Sequence, residues 1–239
     1  MKPLKFQDLI LQETEDYLII NKPPHVSALE DRDKTQQTIL GLARNYCETA
    51  QLCHRLDKET SGILAIAKNP TAYRHLALQF EKRKVAKIYH AVTWGIHDFK
   101  GVKVELPIRI LNKGIVKIDK FDGKPAETIF NTLKAYKSTS LVECRPITGR
   151  MHQIRIHLAC LKASILADVQ YGGKLFYLSQ LKKKRFNLKR GTEEQPLIKR
   201  VALHAQALVF EELNGKTIQV EAPYPKDIRA LLRQLENYQ

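Results

Sequence analysis

Asp16-Tyr17-Leu18-Ile19-Ile20 is a continuous apolar run behind one carboxylate, which predicts a buried strand. Asn21-Lys22-Pro23-Pro24 is expected to stop it, because proline donates no backbone hydrogen bond and restrains the residue before it. In residues 36–46 Ile39, Leu42, Ala43 and Tyr46 recur at helical spacing, and Gly62-Ile63-Leu64-Ala65-Ile66-Ala67 predicts a second buried strand. The stretch between them, residues 54–61, is polar and reads as a loop.

Asn69 followed by Pro70 is an N-cap and first-turn pair, after which Ala72, Leu76, Ala77 and Phe80 supply a helix face. Lys82-Arg83-Lys84 suits the negative end of that helix. Ile88, His90, Val92 and Trp94 then alternate with Tyr89, Ala91 and Thr93, which is strand periodicity. Residues 101–144 read as several short strands broken by turns such as Asn112-Lys113-Gly114 and Asp122-Gly123. Residues 203–210 and 217–220 predict late strands, and residues 227–237 a terminal helix after Pro223 and Pro225. With no internal repeat and no Gly/Ser linker, the pattern fits one α+β domain over residues 1–239, rich in antiparallel strands.

Composition narrows the class. Charged residues are 27% and hydrophobic residues 44% of 239, a globular balance that excludes a disordered or fibrous chain. Forty Lys and Arg against 25 Asp and Glu leave a formal charge of +15, and a polyanion is the economical partner because clustered cations release counterions from phosphates. Cys47, Cys53, Cys144 and Cys160 form neither a C-x-x-C pair nor zinc-like spacing, so no metal site is expected and the thiols read as reduced. No run of about 18 apolar residues occurs, so no membrane span is expected and a cytoplasmic location follows by default.

Two polar segments could carry chemistry. His54-Arg55-Leu56-Asp57-Lys58-Glu59-Thr60-Ser61-Gly62 leads straight into an apolar strand; the bland alternative is a turn in which Asp57 or Thr60 caps backbone groups. Thr148-Gly149-Arg150-Met151-His152-Gln153-Ile154-Arg155-Ile156-His157 follows another strand. On a helix Met151, Ile154, Leu158 and Leu161 form one stripe with Arg155 at its margin. A guanidinium there needs a carboxylate, with Asp57 a candidate and a purely structural ion pair the alternative. His152 and His157 are not at the i, i+4 spacing of a helical metal pair and read as ordinary polar helix residues, while Tyr89 alone reads as cross-strand packing. Lys182-Lys183-Lys184-Arg185-Phe186-Asn187-Leu188-Lys189-Arg190 is either a solvated basic loop or a grip on phosphates.

These two segments, with Asn21-Lys22-Pro23, residues 80–95 around Lys87-Ile88-Tyr89-His90-Ala91, residues 168–172, and Leu203-His204-Ala205, closely resemble the signature motifs of the RluA-type pseudouridine synthase family. The resemblance implies a single catalytic domain with a mixed, largely antiparallel sheet flanked by helices and loops. It also implies isomerisation of uridine to pseudouridine in ribosomal or transfer RNA, with no cofactor and no metal. A monomer is expected, with other oligomeric states left open by the sequence. Asp57 takes the family's catalytic aspartate position, Tyr89 its active-site tyrosine, and Arg155 the arginine that pairs with the aspartate. Arg55 matches a position that helps displace the target base, and Lys22 lies in the first motif as an RNA-binding residue. An RNA substrate also favours the phosphate-binding reading of Lys182, Lys183, Lys184 and Arg185.

The chain departs from the family at His25, where a glycine is usual, and at Lys162-Ala163-Ser164-Ile165-Leu166-Ala167-Asp168, where Gly-His-Pro-Ile-x-Gly-Asp is usual. Both departures are expected to bear on RNA fit rather than on chemistry. Only about fifteen residues precede the first expected strand, so the small N-terminal RNA-binding domain of many relatives is expected to be absent. Two rival functions are a catalytically silent RNA-binding protein of the same fold and an enzyme that stops after releasing uracil.

Overall fold

The computed structural model describes residues 4–29, 37–111, 114–182, 186–188 and 191–238. In chain order it contains β1 (Ile10–Glu13), β2 (Tyr17–Lys22), α1 (Ile39–Tyr46), β3 (Gln51–Leu52), β4 (Ser61–Ala67), α2 (Pro70–Glu81) and β5 (Ala86–Trp94). Then come β6 (Val102–Glu105), β7 (Ile108–Ile110), β8 (Val116–Ile118), β9 (Glu127–Ala135), β10 (Thr139–Pro146) and α3 (Gln153–Cys160). The short α4 (Leu178–Leu181), β11 (Leu203–Glu211), β12 (Thr217–Glu221) and α5 (Lys226–Asn237) complete it. The sheet is mixed and mostly antiparallel, and the chain groups into two compact units, Met1–Tyr89 with His204–Pro223, and His90–Leu203 with Tyr224–Gln239. No described helix is long and apolar enough to cross a membrane.

In the first unit β1, β2, β4 and β11 lie side by side, with β3 on β4 and β12 on β11. Every residue of β4 is buried because both faces of this sheet are covered. Leu18, Ile20, Leu64 and Ile66 pack with Ile39, Leu42 and Ala43 of α1, while Tyr17, Ile19, Ile63 and Ala65 pack with Ala72 and Leu76 of α2. This double cover explains the unbroken apolar runs of the sequence. Asn69 caps α2 as expected, its Oδ1 accepting the Ala72 N–H at 2.8 Å. Helix α1 begins at Ile39, where the Thr38 hydroxyl accepts the Gly41 N–H, and β2 continues through Asn21 and Lys22 before the prolines end it.

β4 runs antiparallel to β2, with Lys22 opposite Gly62, and parallel to β11, with Ser61 opposite His204. Gly62 is required there: a Cβ on it would fall 2.2 Å from the Ala205 carbonyl oxygen. The start of β4 therefore lies against its neighbour with no room for a side chain.

In the second unit β5, β10, β9 and β6 are neighbours, and β9 and β10 are longer than the short strands expected of this region. The β7–β8 hairpin contributes Ile108 and Val116 to a small core with Ala126 and Ile156 of α3.

His25, Lys162 and Ala167, which stand where the resembled motifs carry glycine, have φ of 66°, 58° and 62°. The left-handed turns are thus kept by residues that a Cβ penalises there by about 1–2 kcal/mol. His25→Gly, Lys162→Gly and Ala167→Gly are each expected to stabilise the protein by about 0.5–1 kcal/mol, the relief being offset in part by glycine's larger unfolded-state entropy. Urea unfolding of the three variants measures this, and a loss of stability in all three would refute it.

Candidate active site

The loop of residues 54–61 is fastened at four places within the first unit. At its start the His54 ring packs at a tilt against Phe80, centroids 4.7 Å apart, and its Nε2 accepts the Ala65 N–H at 3.0 Å. An accepting Nε2 places the ring proton on Nδ1, and burial first, then the nearby Lys87 charge, push the imidazole pKa down to about 3. His54 is therefore a neutral fastener. In the middle the Asp57 carbonyl accepts the Thr60 N–H at 3.0 Å, closing a turn over Asp57-Lys58-Glu59-Thr60. The Lys58 carbonyl accepts the His25 N–H at 2.8 Å and the Lys22 ammonium at 3.2 Å. At its end the Ser61 hydroxyl meets His204 Nδ1 at 2.9 Å, and His204 Nε2 donates to the Ala222 carbonyl at 3.3 Å.

This construction corrects one expected role. Lys22 is 0% exposed and also donates to the carbonyls of Pro23 and Val26, at 2.9 and 3.0 Å, so it ties the turn after β2 to the polar loop instead of meeting RNA. A buried ammonium ringed by carbonyls is a satisfied structural charge. Arg55, by contrast, is exposed on the same loop, and Asp57 is half-buried between buried Leu56 and exposed Lys58.

Tyr89, on β5, packs against the cluster that contains Leu56. Burial, and after it the negative charge of Asp57, push its phenol pKa well above the ordinary tyrosine value. Its hydroxyl thus stays protonated at neutral pH. Burial also pushes the Lys87 ammonium down to about 8. Position 87 falls within the motif region, but no spacing rule marks it.

The second motif is built into the second unit. Before α3, Thr148 donates to Gln153 Oε1 at 2.6 Å while the Arg150 N–H donates to the same oxygen at 3.0 Å; Gln153 Nε2 reaches the Glu127 carbonyl and Thr128 Oγ1. Gln153 is thus the peg of this motif, a role that no spacing rule announces. His152 enters α3 with φ 55° and meets the Tyr171 hydroxyl at 2.9 Å. His157 is fully buried between Thr128 Oγ1 and the Leu106 carbonyl, not a solvated helix residue, and burial lowers its pKa.

Helix α3 has no single apolar stripe. Met151 lies before it, Leu161 is its C-cap, and residues 153–158 are all buried. Arg155 is 9% exposed, inside rather than at a margin. Its Nε and Nη2 donate to the two carboxylate oxygens of Asp168 at 2.8 and 2.7 Å, Nη2 also reaches Gln170 at 3.2 Å, and the guanidinium lies 5.0 Å from the centre of the Tyr171 ring. Asp168 is therefore a carboxylate that the charge of Arg155 requires, supplied by the neighbouring family motif.

Of the basic run, Lys183, Lys184, Arg185, Lys189 and Arg190 lie outside the described residues. Lys182 is half-buried, with its ammonium 4.9 Å from the centre of the Tyr238 ring. The four cysteines are free thiols.

Comparison with known proteins agrees with the motifs. The family model for RNA pseudouridylate synthase matches residues 16–160. Ribosomal large subunit pseudouridine synthase C of Buchnera aphidicola subsp. Baizongia pistaciae is 35% identical over 96% of this chain and 71% of its own length. The Escherichia coli K12 protein of the same name is 34% identical over 96% and 70%. Among solved structures, human RNA pseudouridylate synthase domain containing 4 superposes with a TM-score of 0.75 at 25% identity, covering 97% of this chain and 94% of that one. Motifs, fold and relatives converge, and the chain belongs to the RNA pseudouridylate synthase family.

Proposed function

We propose that this pseudouridine synthase modifies ribosomal large-subunit RNA in the cytoplasm, as a monomer, with Asp57 as its reacting carboxylate. The observation that carries the site assignment is geometric: Asp57 stands on a loop fastened at four places, next to Leu56, and Tyr89 packs against the cluster that contains Leu56. The substrate class is supported by the relatives named for the large ribosomal subunit and by the charge of +15.

Pseudouridine formation breaks the bond from base nitrogen to sugar, turns the detached uracil and rejoins it to the same sugar through carbon. Atoms and electrons balance within the nucleotide, so the reaction requires neither cofactor nor metal. Asp57 acts on the sugar, as nucleophile or as base, to release the uracil. After the carbon–carbon bond forms, the proton on that carbon must leave. Tyr89 enters the reaction protonated, so it takes up that proton only as it passes its own onward, which makes it a relay beside the carboxylate. Arg155 matches the family arginine by its motif, and its role in the reaction rests on that match. Exposed Arg55 offsets the few kcal/mol spent on flipping a paired uridine by filling the vacated stack.

The test is incubation of the purified protein with large-subunit ribosomal RNA and, separately, with transfer RNA, followed by pseudouridine mapping and an assay for free uracil. Pseudouridine in the ribosomal transcript without uracil release is expected. Binding without product would identify a silent RNA-binding protein, released uracil a bond-breaking enzyme, and product in transfer RNA alone a different substrate class.

A further inference from the structure

Helix α5 is amphipathic, with Ile228, Leu231 and Leu235 buried. Its two acidic residues are both engaged away from the outer face. Asp227 takes two hydrogen bonds from Arg200, at 2.7 and 3.1 Å, and that arginine is 1% exposed. Glu236 pairs with Lys134 at 3.4 Å. The outer face then carries Lys226, Arg229 and Arg233, all exposed, and none has an ion-pair partner among the described residues. With Ala230, Gln234 and Asn237 they line a shallow hollow along the helix. Where the helix ends, the Lys182 ammonium sits over the ring of Tyr238.

Three exposed cations in a row repel one another, and a nearby carboxylate would relieve that repulsion. The helix has such carboxylates and turns both elsewhere. At about 1.5 Å rise per residue, Lys226 to Arg233 spans roughly 10 Å, so one nucleic-acid strand laid along the helix would bring successive phosphates past successive cations. The Gln234 and Asn237 amides add neutral donors of the kind that bind phosphate and sugar oxygens.

We infer that the outer face of α5 is a docking track for the sugar-phosphate backbone of the RNA substrate, gripping it without reading sequence. The inference rests on RNA being the substrate, and it adds a contact surface that neither motif contains.

The test is a triple variant, Lys226→Gln, Arg229→Gln and Arg233→Gln, which keeps good helix formers at exposed positions. Its control carries Lys100→Gln, Lys103→Gln and Arg145→Gln, which removes the same charge from cations already paired with Asp98, Glu105, Glu127 and Glu143. RNA affinity is measured over a salt series for wild type and both variants, with turnover at saturating RNA. The α5 variant is expected to bind at least about tenfold more weakly in low salt, with its log–log salt slope shallower by roughly 2–3, while the control stays near wild type. Turnover at saturation should be kept. Unchanged affinity and slope in the α5 variant, or an equal loss in the control, would overturn the inference. So would loss of affinity for phosphatidylserine vesicles with RNA affinity intact. Failure of wild type to bind RNA at all would instead sink the function proposed above.

Discussion

Asp57→Asn is expected to abolish pseudouridine formation, by about 10³-fold or more, in a protein that folds and binds RNA as wild type does. The amide keeps the shape of the carboxylate and removes both its charge and its basicity, which are what an attack on the sugar or removal of a sugar proton uses. Folding should survive because the turn is held by other atoms: the Asp57 carbonyl on Thr60, the Lys58 carbonyl under His25 and Lys22, and the His54 and Ser61 fastenings. A change in unfolding free energy within about 1 kcal/mol is expected. RNA affinity should also hold, since phosphate contacts dominate it. Single-turnover assays on ribosomal RNA, with urea unfolding of the same preparations, measure both arms. Turnover near wild type by Asp57→Asn would remove Asp57 from the chemistry, and unfolding of the variant would move it to the scaffold.

The parts of this fold that were legible share a cause. β2 and β4 show unbroken apolar runs because helices cover both faces of their sheet, and α2 carries its start signal in Asn69 and Pro70. α3 defeats periodicity for the opposite reason. It has eight residues and is buried almost all round, so Gln153, Arg155 and His157 sit inside beside Ile154, Ile156 and Leu158. A pattern that separates an apolar face from a polar one cannot resolve such a helix. The burial of Lys22 could not be read, because its three carbonyl acceptors converge only once the turn after β2 has closed on residue 58.

The need of Arg155 for a carboxylate was legible, whereas the supply by Asp168 depended on turn geometry. Between them Lys162 and Ala167 take left-handed φ, and the Asp168 carbonyl accepts the Gly173 N–H at 2.8 Å. A Cβ on Gly173 would fall 2.0 Å from the Ile165 carbonyl oxygen, so the chain folds back tightly enough to present Asp168 to the helix.

That geometry makes Arg155→Ala the largest expected loss of stability, about 3–5 kcal/mol, because it leaves a carboxylate that is 1% exposed without its bidentate cation. The cost lies in stranding the charge more than in the value of the pair. The double variant Arg155→Met with Asp168→Leu, which removes both charges and keeps apolar volume, is therefore expected to recover more than half of the loss. Arg155→Lys should fall between them, since an ammonium keeps the charge but not the two-pronged fit to the carboxylate oxygens. Urea unfolding of the three variants at neutral pH gives the order, and a loss below about 1 kcal/mol for Arg155→Ala would show the pair to be marginal. Activity separates scaffold from chemistry. If Arg155 only holds Asp168 and the turn behind it, the double variant regains turnover along with stability; if the guanidinium serves the reaction, as its family position implies, the double variant folds and stays inactive.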